Sequence, residues 1–301
     1  MIFITGASGN VGRAVVEYLR TREVPFRIGS RTINSVIYQD GIEVVPFDFL
    51  QESTFHSAVH GCNAVFLLRP PAISNMRKTL NLFLDVSRSQ GIQHVVFVSV
   101  AGAANNPIVP HHAVEQHLRQ GGKGWTILRP NFFAQNLGDA YRDDIVKDDR
   151  IFVPAGAGRI AFIDVRDIAK VAVNVLINPI PHQEKTYTLS GSESLSFANV
   201  ASILSKEMGR TIVYEPASIL SYFFHLLRRK MPMAQVLVQT ILHIGLRFGQ
   251  AETIDDTLAK LLGHSPSTLY TYIHDYRELW LKSEALTQPS EDLIINRVKT
   301  L

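Results

Sequence analysis

Seven short apolar runs recur along the first two-thirds of the chain, and helical patterns separate them. The runs are IFI, FRIG, IEVVPF, NAVFLL, HVVFVSV, WTILRP and TYTLSG, and an amphipathic stretch from Val11 to Leu19 follows the first. They are apolar throughout rather than alternating, which is typical of parallel strands covered by helices on both faces. Strands that alternate with helices build βαβ units. The pattern therefore predicts an α/β fold with an open, doubly wound parallel sheet.

The alternation of strands and helices ends at Leu195. A helical pattern runs from Phe197 to Met208, the strand-like run RTIVYEP follows, and mostly helical sequence continues to about Leu281. Bulky apolar residues between Ile219 and Phe248 fit either an ordinary helix core or an adaptable wall for a planar, apolar ligand. We expect a smaller, mostly helical C-terminal part that binds the substrate. The predicted domains are residues 1–194 and 195–301, with 131–165 also contributing to the second.

The charge balance argues against nucleic acid as a partner. The chain has 30 basic and 27 acidic side chains, a net charge of +3, and no run of five or more like charges. Its one cysteine, Cys62, excludes an internal disulfide and favours a reducing compartment.

Two apolar segments bear on location. The first apolar run stops at Thr5, which is too short for a secretion signal. The most hydrophobic stretch, from Ala234 to Gly249, is interrupted by Gln239, His243 and Arg247 and falls short of the roughly 20 residues that span a bilayer. We therefore expect a cytoplasmic protein with no membrane partner.

Three glycines follow the first apolar run in the sequence ITGASGNVGR. Gly6, Gly9 and Gly12 lie between a predicted strand and a predicted helix. In that context a tight turn at Gly6, close backbone approach at Gly9 and close helix packing at Gly12 cradle a pyrophosphate at the positive end of the helix. The turn predicts a dinucleotide site.

The end of the second strand predicts which dinucleotide binds. An NAD-binding chain usually has an Asp or Glu there, about 20 residues after the glycines, to accept from the ribose 2′-hydroxyl. This chain has Ser30 and Arg31 instead. An arginine pairs with a 2′-phosphate, and Arg13 could reach the same group. We expect NADP(H) to be preferred over NAD(H).

Two further strand ends supply candidate contacts. Asp48 and Phe49 follow the third strand, where Asp48 could accept from the adenine amine or cap a helix. Phe49 could meet the adenine through its backbone amide or its ring face. After the fourth strand, Leu68, Arg69 and Pro70 should lie over the crevice where a dinucleotide crosses the sheet.

Five blocks of sequence carry a family resemblance: TGASGNVG, VVFVSVAGA, VEQHLRQGGKGWTILRPNFFAQNL, FIDVRDIAKVA and YTLSGSESLSFANVASILSKEMGR. Together they resemble NmrA-like atypical short-chain dehydrogenases/reductases over roughly residues 1 to 280. The resemblance is closest to the branch that includes triphenylmethane reductase and type 2 quinone oxidoreductase. It implies a Rossmann-type fold, an NADP(H) ligand, and Gly6, Gly9, Gly12 and Arg31 as cofactor contacts. It also implies that the loops Ser99–Gly102 and Pro130–Phe133 flank the nicotinamide.

The sequence predicts one set of residues for each site. The predicted cofactor contacts are Gly6, Ala7, Ser8, Gly9, Asn10, Val11, Gly12, Arg13, Ser30, Arg31, Asp48, Phe49, Leu68, Arg69, Pro70, Ser99, Val100, Pro130 and Phe132. The predicted substrate pocket contains Phe133, Asn136, Phe223 and Met231.

The chain departs from most short-chain dehydrogenases in its acid–base chemistry. Those enzymes use a Tyr-x-x-x-Lys pair, in which the lysine lowers the pKa of the tyrosine. None of the nine tyrosines here has a lysine four residues on. Aligning HHAVEQHL on the helix that carries the pair places His111 at the lysine position and Pro107 at the tyrosine position. His111, His112 and Tyr141 are the remaining candidate proton donors.

Three hypotheses for function follow. The first is a reductase whose small, apolar or planar acceptor, such as a quinone, an imine or a dye, takes a hydride and collects any proton from water. The second is a non-catalytic NADP(H) sensor of the NmrA type that binds a protein partner. The third is a metal-dependent hydrolase built on His111, His112, Glu115 and His117, which would leave the glycine turn without a role. We expect the reductase, and no metal.

Overall fold

The computed structural model describes residues 1–32 and 42–282. Its strands are β1 (Ile2–Ile4), β2 (Phe26–Ser30), β3 (Glu43–Pro46), β4 (Ala64–Leu68), β5 (His94–Val98), β6 (Trp125–Pro130), β7 (Arg150–Val153), β8 (Arg159–Ile160), β9 (Lys185–Leu189), β10 (Leu195–Ser196) and β11 (Val213–Pro216). Its α-helices are α1 (Asn10–Thr21), α2 (Phe55–Val59), α3 (Leu82–Ser89), α4 (Pro110–Gln120), α5 (Arg142–Asp148), α6 (Val165–Ile177), α7 (Phe197–Met208), α8 (Ile219–Arg228), α9 (Met233–Arg247), α10 (Thr257–Leu262) and α11 (Leu269–Asp275).

Seven of these strands form one sheet in the order β3-β2-β1-β4-β5-β6-β9, and all are parallel. Each of the seven apolar runs of the sequence supplies one of them, so the predicted doubly wound α/β fold is confirmed. The strand order reverses between β1 and β4. At such a switch point the following loops diverge and leave a crevice at the carboxyl ends of the strands.

The alternation of side chains along β1 shows why the runs are apolar throughout. Ile2 and Ile4 pack into a core cluster that includes α1 and α6, whereas Phe3 packs into the cluster on the other face, which includes Phe55 and Phe83. Successive strand residues point to opposite faces, so a sheet covered on both sides needs an apolar residue at every position.

The chain divides into two compact units. The first contains Met1–Phe133, Phe162–Ser192 and Ile254–Ser267, and therefore the whole seven-stranded sheet. The second contains Ala134–Ala161, Glu193–Thr253 and the chain from Thr268. Within it β11 pairs with β7 in parallel and β10 pairs with β8 in antiparallel. The predicted domain boundary at residue 194 stays a prediction.

Across residues 1–32 and 42–282, none of the helices combines the length and the apolar character that crossing a membrane requires.

Candidate functional site

The turn between β1 and α1 needs its glycines for two different steric reasons. Gly6 has a left-handed φ of 66°, and a Cβ on it would also lie 3.0 Å from the Leu68 side chain. A Cβ on Gly12 would lie 2.1 Å from the Gly6 carbonyl oxygen, so only glycine lets α1 begin this close to the strand. The Gly9 amide donates to the Gly6 carbonyl at 3.1 Å and closes the turn.

The N-terminus of α1 lies at this turn, and no side chain caps it. Gly9 is the N-cap residue, and the first helical turn contains no acidic side chain. Backbone N–H groups at a helix N-terminus carry partial positive charge and bind anions. Ser8 and Asn10 are exposed at the turn, whereas Ala7 and Val11 are buried beneath it. The arrangement fits the predicted pyrophosphate cradle.

Thr5 joins β1 to β4 at the switch point, a role that the sequence arguments missed. Its hydroxyl donates to the Phe66 carbonyl at 3.1 Å and accepts from the Leu68 amide at 2.9 Å, and the residue is fully buried. The side chain therefore fixes Leu68 against the glycine turn. A hydroxyl residue directly after a short apolar strand was the only available signal.

At the end of β2, the Ser30 side chain bonds to the backbone two residues on, and the Arg31 side chain is exposed. The Ser30 hydroxyl donates to the Thr32 carbonyl at 2.7 Å and accepts from the Thr32 amide at 3.2 Å. Arg13 is also exposed, and its guanidinium donates to the Ser8 carbonyl at 3.4 Å. Both predicted 2′-phosphate ligands thus lie on the surface of the sheet unit.

The side chains after β3 have structural partners. The Asp48 carboxylate accepts from the Leu50 amide at 2.9 Å, which is a local turn. The Phe49 ring is buried and packs edge-on against Phe47 and Phe83 at centroid distances of 4.8 and 5.6 Å. The ring belongs to the core in this structure, so the prediction that its face contacts the adenine is wrong. The backbone amide of Phe49 stays the predicted contact with the adenine.

Arg69 organises the loop after β4. Its guanidinium donates to the carbonyls of Pro70, Pro71 and Ile73 at 3.2, 3.3 and 2.5 Å. Its Nε atom donates to His111 Nε2 at 3.4 Å. The side chain of Arg69 is thus engaged within the protein, and the loop containing Pro70 takes its shape from it.

His111, at the predicted lysine position on α4, has an unusual environment. Burial, with repulsion from Arg69, lowers the pKa of His111 to about 4. Because Nε2 accepts from Arg69, the proton of the neutral ring lies on Nδ1. Among the described residues Nδ1 has no hydrogen-bond partner, although it is buried. A buried donor without a partner is a candidate ligand contact.

A buried ion pair connects the ends of β5 and β6 through α4. The Glu115 carboxylate accepts from the Ser99 hydroxyl at 2.6 Å and from Arg129 Nε at 2.9 Å, and a second bond joins Arg129 Nη2 to the other carboxylate oxygen. Burial opposes ionisation of Glu115, but the bonds from Arg129 and Ser99 outweigh it, so the pKa of this carboxyl lies below its usual value. We call this group the Glu115 clasp. The sequence pattern indicated no role for Glu115 except that of a metal ligand.

The two loops predicted to flank the nicotinamide start at the clasp. The Ala101 amide, next to Val100, donates to the Pro130 carbonyl at 3.3 Å. Phe132 is buried against Phe162 at 5.7 Å between ring centroids. His112 Nδ1 donates to the Ala103 carbonyl at 2.8 Å and so supports the loop after β5.

Tyr141 lies in the second unit and is buried. Its hydroxyl bonds to His243 Nε2 at 2.5 Å, and His243 Nδ1 donates to the Gln239 carbonyl at 2.6 Å. Burial raises the pKa of Tyr141 well above its usual value and lowers the pKa of His243 to about 4. Tyr141 therefore holds its proton tightly, which makes it a poor acid.

The residues predicted for the substrate pocket belong to both units. Phe133 lies in the sheet unit, whereas Asn136, Phe223 and Met231 lie in the second, and all four are partly buried. That they form one pocket stays a prediction.

The residues of the hydrolase hypothesis have separate partners. His117 Nε2 bonds to Asp85 at 2.7 Å, and Glu115 bonds to Arg129. In the described part of the chain, no three His, Cys, Asp or Glu side chains are grouped closely enough to hold a metal ion.

The glycine turn, the uncapped helix and the switch point of a parallel sheet define a dinucleotide-binding protein of the Rossmann type. Residues 1–279 match the NmrA-like family, and the chain belongs to this family. The predicted family is therefore confirmed.

Named relatives and solved structures agree with this assignment. An NAD(P)H azoreductase of Xenophilus azovorans is 31% identical over 222 residues, which cover 71% of this chain and 76% of that protein. An NADPH-dependent quinone oxidoreductase of Escherichia coli, solved with NADPH, superposes with a TM-score of 0.82 at 24% identity, covering 91% of this chain and 99% of that one. A Citrobacter sp. triphenylmethane reductase, solved with NADP(H), gives the same TM-score, identity and coverage. The prediction of an NAD(P)H-dependent reductase with a Rossmann-type fold is confirmed.

Proposed function

We propose that the protein is an NADP(H)-dependent reductase that transfers a hydride to a small planar or apolar acceptor of the quinone, azo, imine or dye type. The observation that carries the proposal is the glycine turn, whose uncapped helix end fits a pyrophosphate. Membership of the NmrA-like family and the azoreductase and quinone oxidoreductase names of its relatives support it.

The described residues fit the dinucleotide at several points. The backbone from Gly6 to Gly12 would bind the pyrophosphate, and Arg31 and Arg13 would bind the 2′-phosphate. The loops that begin at Ser99 and Pro130 would border the nicotinamide, and bound NADPH supplies the hydride. His111 Nδ1, a buried donor without a protein partner in the described chain, would donate to a ligand hydroxyl or carbonyl.

The titration of His111 restricts the choice of acceptor. With a pKa of about 4, the His111 ring is neutral near pH 7 and offers a hydrogen bond rather than an acidic proton. An acceptor that takes a hydride and obtains its proton from water does not need a tyrosine–lysine pair. Such acceptors include quinones, imines and cationic dyes, and positioning of the two bound rings would then provide most of the rate.

Cofactor preference gives the first test. Arg31→Ala should weaken NADPH binding about 10- to 100-fold, because a charge-assisted bond contributes about 1.5–3 kcal/mol. The affinity for NADH should change little, because NADH has no 2′-phosphate. Titration calorimetry with both nucleotides measures this. Arg20→Ala, which removes an exposed arginine from the other end of α1, is the matched control. Equal losses for NADPH and NADH would contradict the assignment.

Turnover gives the second test. Loss of the near-ultraviolet absorbance of NADPH should accompany reduction of members of a panel of quinones, azo dyes, imines and triarylmethane dyes. Tight NADPH binding without turnover of any member would instead favour the NADP(H)-sensing regulator that binds a protein partner.

A further inference from the structure

The α8 and α9 helices expose several large apolar side chains. Only residues 229–232 connect the two helices, which pack against each other as a helical hairpin. Leu220 and Phe224 on α8, and Leu237, Val238, Ile241 and Phe248 on or directly after α9, are each between 48% and 78% exposed. Leu237 and Ile241 are four residues apart, as are Leu220 and Phe224, so each pair lies on one helix face. Singly exposed apolar residues are ordinary, but a patch of this kind indicates an interaction surface.

The inner face of the hairpin is fixed to the second unit by polar contacts. Arg229 donates to the buried Asp144 carboxylate at 2.7 Å, and His225 approaches the same carboxylate at 3.1 Å. His243 on α9 forms a further hydrogen bond with the buried Tyr141 hydroxyl. Because these contacts hold the inner face, the exposed apolar face is a stable outer surface.

The charge of the hairpin is one-sided. From residue 216 to residue 251 the sequence has four basic residues and no acidic ones. Arg229 is neutralised by Asp144, which leaves Arg228, Lys230 and Arg247 exposed. Arg228 continues the face of Leu220 and Phe224, because these residues are spaced by four.

We propose that the α8–α9 hairpin binds the surface of an anionic membrane, lying in the interface plane with its apolar face among the acyl chains and its basic residues at the headgroups. An amphipathic segment with apolar residues on one face and basic residues beside them has the features of an interfacial helix. Anionic headgroups complement the exposed Arg228, Lys230 and Arg247. A second copy of the chain fits less well, because a symmetric dimer would bring these same positive charges together. The expectation of no membrane partner was based on the length needed to span a bilayer, and a helix that lies on a membrane need not span it.

The test is sedimentation of the full chain with vesicles of phosphatidylcholine alone and with vesicles that also contain phosphatidylglycerol. We expect binding to the anionic vesicles only, and release when salt rises from about 0.1 to about 1 M, because the Debye length shrinks from about 10 to about 3 Å. Neutralising both Arg228 and Lys230 with glutamine should lower partitioning at least about tenfold, since each basic residue contributes about fivefold. Leu237→Ser and Ile241→Ser should each lower it about tenfold through lost apolar contact.

Control variants outside the hairpin test whether loss of vesicle binding is specific to the hairpin residues. Ile108→Ser changes an apolar side chain that is 90% exposed outside the hairpin, and Lys78→Gln with Lys123→Gln removes two exposed charges elsewhere. These variants should bind vesicles as the parent does. Binding to neither vesicle, or equally to both, would overturn the proposal. In that case a dimer lost in Ile241→Ser would assign the face to a second copy, and a raised acceptor KM in Leu237→Ser would assign it to the substrate site.

Discussion

At the residue scale, the glycines of the first turn differ in what a methyl group would meet. A Cβ on Gly12 would lie 2.1 Å from a backbone oxygen, whereas a Cβ on Gly9 would lie no closer than 3.6 Å to the Gly6 carbonyl oxygen. Gly9 also has an ordinary φ of −86°. The fold itself therefore requires glycine at Gly6, because of its left-handed φ, and at Gly12, whereas a penalty for a methyl group at Gly9 would come from what binds there.

This difference gives a prediction for two alanine variants. Gly9→Ala should leave the thermal midpoint of unfolding nearly unchanged but weaken NADPH binding at least about tenfold, because the methyl group occupies space above the helix N-terminus. Gly12→Ala should lower both stability and binding. Differential scanning calorimetry and nucleotide titration measure the two effects. Unchanged NADPH affinity in Gly9→Ala would place the pyrophosphate elsewhere.

The residue scale also shows where sequence reasoning is limited. The glycine spacing predicts the turn because its geometry is local. Arg69 and Phe49 follow strands as predicted, but each also has a partner far away in sequence, which is His111 for Arg69 and Phe83 for Phe49. No short pattern encodes such contacts. The Glu115 clasp was missed for the same reason, since its members are 14 and 16 residues from Glu115.

At the element scale, the Glu115 clasp holds α4 against the carboxyl ends of β5 and β6. The Glu115 side chain is 2% exposed and that of Arg129 is 15% exposed, so water hydrates neither charge well. Each charge is instead compensated by the other. Removing one member of a buried pair leaves the other uncompensated. The two loops predicted to flank the nicotinamide thus depend on a single carboxylate.

Glu115→Leu should therefore lower the free energy of unfolding by about 3–5 kcal/mol, measured with urea. The exposed Glu17→Leu on α1 should change it by less than about 1 kcal/mol and serves as the control. A loss that is no larger for Glu115→Leu than for Glu17→Leu would show that the clasp does not stabilise the sheet unit.

At the scale of the whole molecule, the alternating apolar runs were sufficient to predict the sheet. Every run became a strand, because burial on both faces requires apolar residues at each position of that strand. The division into units was harder to foresee. Residues 254–267 belong with the sheet although they follow residue 194, because α10 packs on α6 and β9, which lie far from it in sequence.

Buried histidines give the whole molecule a predicted dependence on pH. Burial lowers the pKa of His94, His111 and His243 to about 4 from an ordinary value of 6.5. Between these values the unfolded chain binds more protons than the folded chain, so the free energy of unfolding falls as pH falls from 6.5 toward 4. Each histidine contributes a slope of up to about 1.4 kcal/mol per pH unit.

Urea unfolding at a series of pH values checks this prediction. His243→Gln should give a shallower slope than the parent between pH 6.5 and 4, although its stability at neutral pH is lower. His264→Gln, on an exposed histidine, should keep the parent slope. A parent-like slope in His243→Gln would mean that His243 does not carry the effect.

The parallel pairing of β7 with β11 also sets an order of events during synthesis. Arg150 pairs with Val213, so β7 leaves the ribosome about 60 residues before its partner. At about 5–20 residues per second, that gap lasts about 3–12 seconds. During this interval the β7 edge has no β11 beside it, and an unpaired edge can accept a strand from another chain. A translational pause between these two strands would therefore favour aggregation of nascent chains more than a pause after Pro216.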